Sequence, residues 1–258
     1  MKRLIDFSRY SSIKVGTPIE VEVLQEKQNI DDGFLVGGAN NLLVSPTPPK
    51  LYMLGKEFDH IEIKDNFLYV GGATKSGRIF SFCKKHDIGG LEYLGKLPGT
   101  LGGLLKMNAG MKSYEVFNSV KDVEFADGFV SKDEIEYGYR STNIESVIFG
   151  ATFEIKRGFD YELLEEFTKM RANQPKEPSA GSAFKNPDGD YAGRLIEAVG
   201  LKGYKKGGAM WSEVHANFLV NVSNASYHDA KWLLDEAKKR VFEEFGIKLQ
   251  EEIVTLCS

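Results

Sequence analysis

The chain has 258 residues, 42% of them hydrophobic and 27% charged, the composition of a folded protein of one large domain or two to three small ones. That excludes a disordered tail, a coiled coil or a collagen-like chain. The 33 Lys and Arg against 37 Asp and Glu leave a formal charge of −4, which speaks against non-specific nucleic-acid binding but leaves an anionic small substrate open.

In chain order, Ile19, Val21 and Val23 alternate with Glu20 and Glu22, which predicts a strand. His60-Ile61-Glu62-Ile63 and Phe67-Leu68-Tyr69-Val70 flank Asp65-Asn66 as a hairpin. A helix is expected over about 74–87, with Ile79, Phe82, Cys83 and His86 on one side and Gly89-Gly90 beyond its end. A second hairpin is read from Val123-Glu124-Phe125 and Phe129-Val130 around Asp127-Gly128. Leu163, Leu164, Phe167 and Met170 predict a helix over 161–173, capped by Asp160 and stopped by Pro175, and a domain boundary is expected near its end. Further on, Asp190 is the expected cap of a helix carrying Leu195, Ile196 and Val199 and closed by Gly200. Asn217 to Val220 reads as a strand. The clearest helix spans about 227–245, with Ala230, Leu233, Leu234, Ala237, Val241 and Phe245 as its buried stripe, Ser226 as cap and Gly246 as stop. Glu252-Ile253-Val254 is a last strand.

Cys83 and Cys257 are far apart and lack metal-ligand spacing, so no disulfide framework and no metal site are expected. No apolar run approaches the roughly 18 residues of a membrane span. Met1 to Tyr10 mixes charges with single apolar residues, unlike a signal peptide. A cytoplasmic monomer without membrane or nucleic-acid partners is the expectation.

Glycine, 27 of 258 residues, exceeds the average usage of about 7%. Two segments concentrate it. Val36-Gly37-Gly38-Ala39-Asn40-Asn41-Leu42-Leu43-Val44 places glycines and asparagines between apolar runs, as in a sharp turn whose backbone amides hold an oxyanion. It has neither three spaced glycines nor a Gly-Lys-Ser/Thr phosphate loop. Leu97-Pro98-Gly99-Thr100-Leu101-Gly102-Gly103-Leu104-Leu105-Lys106-Met107-Asn108-Ala109-Gly110 carries almost no charge, unlike a surface loop. Bare backbone there lets something flat or charged approach without obstruction. Two such segments favour a large anionic cofactor over two ordinary turns.

These segments resemble the flavin-binding segments of the bacterial UDP-N-acetylenolpyruvoylglucosamine reductase family, which makes UDP-N-acetylmuramate for peptidoglycan. Residues 37–44 are similar to its Gly-x-Gly/Ala-Ser/Asn-Asn-Leu-Leu-Val run, and 97–110 to its Ile-Pro-Gly-Thr-x-Gly-Gly-Ala-x-x-Met-Asn-Ala-Gly run. Tyr139-Arg140-Ser141-Thr142 looks like Tyr-Arg-x-Ser. Arg171-Ala172-Asn173-Gln174-Pro175 and Gly181-Ser182-Ala183-Phe184-Lys185-Asn186-Pro187 look like Arg-x-x-Gln-Pro and Gly-Ser-x-Phe-Lys-Asn-Pro. Gly246-Ile247-Lys248-Leu249-Gln250-Glu251-Glu252-Ile253 resembles the family's Gly-x-x-Leu-Glu-x-Glu-Val. The matches run in order from about residue 34 to 253. Departures are Lys96 at a usual glycine, Leu104 for alanine, Thr142 for serine and Gln250 for glutamate. With its short spacing from Arg140 to Ser182, the chain resembles the family's shorter branch, without an extra substrate-capping loop.

The resemblance implies an α+β fold: two FAD-binding subdomains of the vanillyl-alcohol-oxidase/PCMH-like type over 1–170 (about 1–58 and 59–170), then a substrate-binding domain over 171–258 whose last strand carries Glu252. It implies non-covalent FAD, with NADPH as co-substrate, and hydride passed through the flavin to the vinyl carbon of an enolpyruvyl UDP-sugar. Its flavin contacts map onto Gly37, Gly38, Ala39, Asn40, Asn41, Leu42, Pro98, Gly99, Thr100, Gly102, Gly103, Asn108, Ala109 and Gly110. Hydride addition leaves charge on the adjacent carbon and carboxylate, which the enzyme must stabilise. Arg140, whose fork fits a carboxylate, and Glu252, expected un-ionised through burial, match the family positions for this. Ser182 matches the proton donor, and a serine needs a neighbour or water to relay. Lys185 and Asn186, with Gln174 and Tyr139, are the expected substrate contacts. His215 and Asn217 match Ser-x-x-His-Ala-Asn-Phe, with no role read for them. Two rival readings are an FAD-dependent oxidase of the same fold and a non-catalytic nucleotide-binding module. Many such oxidases tether flavin to His or Cys, which neither glycine-rich segment contains. A binding module would not need Arg140, Ser182 and Glu252 together.

Overall fold

The computed structural model describes residues 1–257 and separates into two compact units. One comprises Met1–Arg3, Val21–Gly38 and Lys50–Ala172; the other comprises Leu4–Glu20, Ala39–Pro49 and Asn173–Ser258. Leu4–Glu20 and Ala39–Pro49 are counted with the residues that follow Ala172. Both units mix helices and strands, as an α+β fold requires.

In the first unit, alternating β-branched and aromatic residues build a five-stranded antiparallel sheet in the order Gly128–Ser131, Val120–Phe125, Gly150–Glu154, Phe67–Gly71, Ile61–Lys64. Both expected hairpins are present in it. Asp65, at φ 54°, turns the first, and Gly128, at φ 129°, takes the left-handed position of the second. One sheet face lies on a core of Leu68, Val70, Val123, Ala151 and Phe153, to which the helices Ser76–Lys85 and Tyr161–Met170 contribute Ile79, Cys83 and Phe167. Ile79 and Cys83 are buried in it, whereas Phe82 and His86 are half-buried and stack on each other at 4.2 Å. Of the predicted stripe of the second helix only Phe167 is fully buried. Asp160 caps that helix through Leu163 N–H at 2.9 Å, as expected. Pro18–Leu24 lies parallel to Leu51–Leu54, from Val21 opposite Leu51 to Leu24 opposite Leu54.

Glu92 is fully buried in this unit, and its two oxygens accept from Gly90 N–H (2.8 Å) and Asp160 N–H (2.9 Å). The carboxylate thereby joins the turn after the first helix to the start of the second. Bonds to a charged group contribute about 1.5–3 kcal/mol each.

In the second unit, Ser179–Ser182, Phe218–Asn221, Ala209–Trp211 and Lys205–Lys206 form an antiparallel sheet, and Val254–Leu256 pairs in parallel with Leu42–Val44. The last strand starts later than Glu252, because residues 250–253 spend their backbone groups on the segment 183–185 instead. The helix Tyr227–Phe245 matches its predicted span, with a capping box between Ser226 and Asp229 and a left-handed Gly246. Ala230, Leu233, Leu234, Ala237 and Val241 are fully buried, each leucine contributing about 1.5–3 kcal/mol. Phe245 is 37% exposed and leaves the predicted stripe, lying one turn beyond Val241 where the core ends. Asp190 does not cap its helix. The helix is Ala192–Ala198, and Asp190 accepts from Arg194 Nε at 2.7 Å, which holds its carboxyl down at about 2. Among the described residues no helix is long and apolar enough to cross a membrane.

Candidate active site

The second glycine-rich run is not a loop throughout. Leu101–Lys106 is a short helix with Leu101, Leu104 and Leu105 buried. Their i, i+3, i+4 spacing was visible in the sequence, but Gly102-Gly103 masked it because glycine is a poor helix former. Leu104, for which the family has alanine, fills the core. Gly102 N–H donates to Gly72 O at 2.9 Å, and a Cβ on Gly102 would crowd that oxygen at 3.3 Å.

The two glycine-rich runs meet. A Cβ on Gly37 would lie 2.5 Å from Thr100 Oγ1, so a side chain at 37 would force that hydroxyl to move. Gly103 differs: its backbone is exposed, and a Cβ there would touch only Thr100 Oγ1, at 3.6 Å. The protein's own packing does not demand its missing side chain, so the bare backbone leaves room for a group from outside the chain. Pro98 is exposed beside it, and Gly99 is left-handed at φ 137°. In the first run the left-handed residue is Ala39 (φ 49°) rather than a glycine. Ser12, unremarkable in the sequence, holds this turn: its N–H donates to Ala39 O (3.2 Å) and its hydroxyl to Asn40 O (3.1 Å).

Asn108 and Arg140 form one constellation. Asn108 is fully buried and left-handed at φ 43°. Its amide nitrogen donates to Glu115 Oε2 (2.8 Å) and Gly138 O (2.9 Å), and its amide oxygen accepts from Phe117 N–H (3.3 Å). Its side chain is thus engaged within the protein. Tyr139 and Arg140 are the two turn residues of a hairpin whose last pair is Gly138 opposite Ser141. Arg140 stands at φ 53°, at the second central position, where glycine or asparagine is the usual occupant. Backbone strain at a charged, non-glycine residue is typical of functional sites. Its guanidinium donates to Gly110 O (2.6 Å) and Asn108 O (3.5 Å) and lies 3.7 Å from Glu115 Oε1. Tyr139, half-exposed, stacks under it at 5.1 Å. Thr142 Oγ1 donates to Lys106 O at 2.7 Å and ties the hairpin to the helix. Arg171 donates to the carbonyl of Lys96; at this usual glycine position the backbone makes the contact.

In the second unit, the chain reversal at 182–186 brings distant residues together. Gly181, at φ 79°, precedes Ser182, whose hydroxyl makes no hydrogen bond among the described residues. Ala183 O accepts from Glu252 N–H (2.8 Å) and Lys185 N–H donates to Gln250 O (2.9 Å). Ser182 and Glu252, 70 positions apart, are therefore on adjoining backbone segments. Asn41 joins them: its amide donates to Glu252 O at 2.8 Å, and its own carbonyl accepts from Val254 N–H at 2.9 Å. Asn186 Oδ1 accepts from Ala192 N–H at 3.1 Å and starts the next helix, which leaves its NH2 group as the remaining donor. Lys185 and Gln174 are half-buried.

Asn217 and His215 acquire a role here that their sequence context did not reveal. Buried Asn217 pairs with both backbone groups of Phe184, accepting from its N–H (3.0 Å) and donating to its carbonyl (2.8 Å). This peptide-like pairing holds the segment between Ser182 and Lys185. His215 Nδ1 accepts from Asn217 N–H at 3.2 Å, which puts the imidazole proton on Nε2. Burial, reinforced by Lys202, holds its pKa below the ordinary value. A depressed folded pKa means that the unfolded chain binds the proton more readily. The contribution of His215 to stability is therefore complete above about pH 6.5 and is lost as pH falls through the lower folded value. Chemical denaturation at about pH 7 and about pH 5 should show His215→Gln losing less stability on acidification than the parent; equal losses would exclude this.

Residues 174–256 match the family model for the UDP-N-acetylenolpyruvoylglucosamine reductase C-terminal domain. The chain is 48% identical to the UDP-N-acetylenolpyruvoylglucosamine reductase of Helicobacter hepaticus, covering 98% of both chains, and 47% identical to that of Campylobacter jejuni, covering 98% of this chain and all of the other. The solved UDP-N-acetylenolpyruvylglucosamine reductase of Thermus caldophilus superposes with a TM-score of 0.86 at 31% identity over the full length of both.

Proposed function

Because the chain belongs to the UDP-N-acetylenolpyruvoylglucosamine reductase family, we propose that it reduces the enolpyruvyl group of its UDP-sugar to give UDP-N-acetylmuramate, with FAD as cofactor and NADPH as reductant. Bound FAD would supply hydride transfer from NADPH to the vinyl carbon. Gly37, Gly38, Ala39, Asn40, Asn41 and Leu42 of the first run would hold it, together with Pro98, Gly99, Thr100, Gly102, Gly103, Ala109 and Gly110 of the second. The unforced bare backbone at Gly103 fits such a group. Asn108 of the same run is a further candidate contact, with its side-chain amide bonded to Glu115, Gly138 and Phe117.

The remaining work falls to side chains. As charge develops on the substrate's carboxylate, the planar Arg140 fork stabilises it. Glu252 assists in its un-ionised form, since a carboxylate would repel the nascent anion. Ser182 gives its hydroxyl proton to the carbanion carbon, and a water molecule returns a proton to its oxygen, since a serine alone is too weak an acid. Lys185 offers a cation to phosphate; Asn186, Gln174 and Tyr139 bind the remainder of the substrate. The single observation that carries this reading is the junction at Ala183, which places Ser182 and Glu252 on adjoining segments.

The test is direct. Purified protein should take up FAD and turn yellow, and should consume NADPH only when the enolpyruvyl UDP-sugar is present. Failure to bind FAD would refute the proposal, and NADPH-independent peroxide formation would establish the oxidase instead.

A further inference from the structure

Arg140 stands at the tip of a two-residue turn, in a backbone conformation that disfavours its side chain, and something must fix its guanidinium. Among its fixed points are the carbonyls of Asn108 and Gly110 and a carboxylate, Glu115, on the strand Tyr114–Glu115. Glu115 lies outside every motif singled out in the sequence. Its side chain is 19% exposed and that of Arg140 is 14% exposed, so the pair is only weakly screened by solvent.

The two carboxylate oxygens have separate tasks. Oε2 accepts from the amide nitrogen of buried Asn108 at 2.8 Å, and Oε1 faces Arg140 Nη1 at 3.7 Å. Asn108 in turn donates to Gly138 O, at the base of the turn that carries Arg140. Both neighbours of Glu115 are donors, so both of its oxygens must be acceptors. Only a carboxylate satisfies this: a glutamine would turn its NH2 group toward either the Asn108 amide or the guanidinium.

We infer that Glu115 is a positioning residue for Arg140, holding the guanidinium in the orientation that meets the substrate carboxylate; the inference rests on the role of Arg140 proposed above. Asn108 fixes Glu115, and Glu115 fixes Arg140. Glu115 itself need not touch the substrate.

The experiment compares Glu115→Gln, Arg140→Ala and the double variant, each loaded with FAD. Glu115→Gln should leave bleaching of the flavin absorbance by NADPH within about twofold of the parent, and should slow reduction of the enolpyruvyl substrate about tenfold. In the Arg140→Ala background it should cost less than about twofold more, because its effect passes through the guanidinium. Glu115→Asp, which keeps the charge, should recover part of the rate. Equilibrium dialysis adds a reading independent of turnover. Glu115→Gln should weaken binding of UDP-N-acetylmuramate, which carries the carboxylate, and leave UDP-N-acetylglucosamine, which lacks it, unchanged. A full rate in Glu115→Gln alongside a crippled Arg140→Ala would overturn the inference alone, as would additive losses or equal weakening of both ligands. A full rate in Arg140→Ala would remove the role of Arg140, and this inference with it.

Discussion

Replacing Ser182 by alanine should leave NADPH-dependent bleaching of the bound flavin at the parental rate and slow the reoxidation by enolpyruvyl substrate about 10²–10⁴-fold, the usual contribution of a positioned proton donor. The separation follows from where the hydroxyl is needed. Hydride delivery from NADPH involves no carbanion, whereas the second half-reaction ends only when the substrate carbon receives a proton. The substitution itself is structurally mild. Ser182 Oγ makes no hydrogen bond among the described residues, so its loss orphans no partner. The turn depends on left-handed Gly181 and on the Asn217 pairing with Phe184, which alanine at 182 leaves alone. Rapid-mixing absorbance measurements of the two half-reactions decide the matter. Equal loss in both would point to a misfolded site, and no loss in the second would remove Ser182 as donor.

Arg140→Lys should cost about 10²–10³-fold in the second half-reaction, although the charge is kept. The guanidinium spreads its donors over a plane, and the structure uses that plane: Nη2 on Gly110 O, Nη1 toward Asn108 O and Glu115. A lysine ammonium is a point donor that cannot keep these contacts and also meet both oxygens of a substrate carboxylate. Arg140→Gly separates function from folding. Glycine adopts φ 53° without penalty, where an L side chain gives up on the order of 1–2 kcal/mol. That gain offsets the lost carbonyl and Glu115 contacts, so the glycine variant should melt within a few degrees of the parent and yet reduce substrate no faster than Arg140→Ala. A glycine variant that retained parental turnover would sink the proposed role of the side chain.

The sequence alone determined whatever depends on neighbours along the chain. The helix Tyr227–Phe245 was legible from its 3.6-residue stripe, its Ser226 cap and its Gly246 stop, because capping and amphipathic burial are properties of consecutive residues. Both hairpins were legible for the same reason, since a tight turn needs only the residues that tolerate its dihedrals. The family itself was legible through short ordered motifs.

Tertiary structure decided what those motifs do for one another. The amide of Asn108 bonds Glu115, Gly138 and Phe117, partners that no spacing rule connects to it. Glu115 belongs to no motif and is a carboxylate beside Arg140. Asp190 has the sequence position of a helix cap, but it pairs with Arg194, and Asn186 takes the start of that helix. Ser182 and Glu252 became neighbours only because backbone groups at 183 and 185 pair with 252 and 250. In each case the deciding hydrogen bond joins residues that only the folded backbone brings within reach, and local propensity carries no information about a polar group's distant partner.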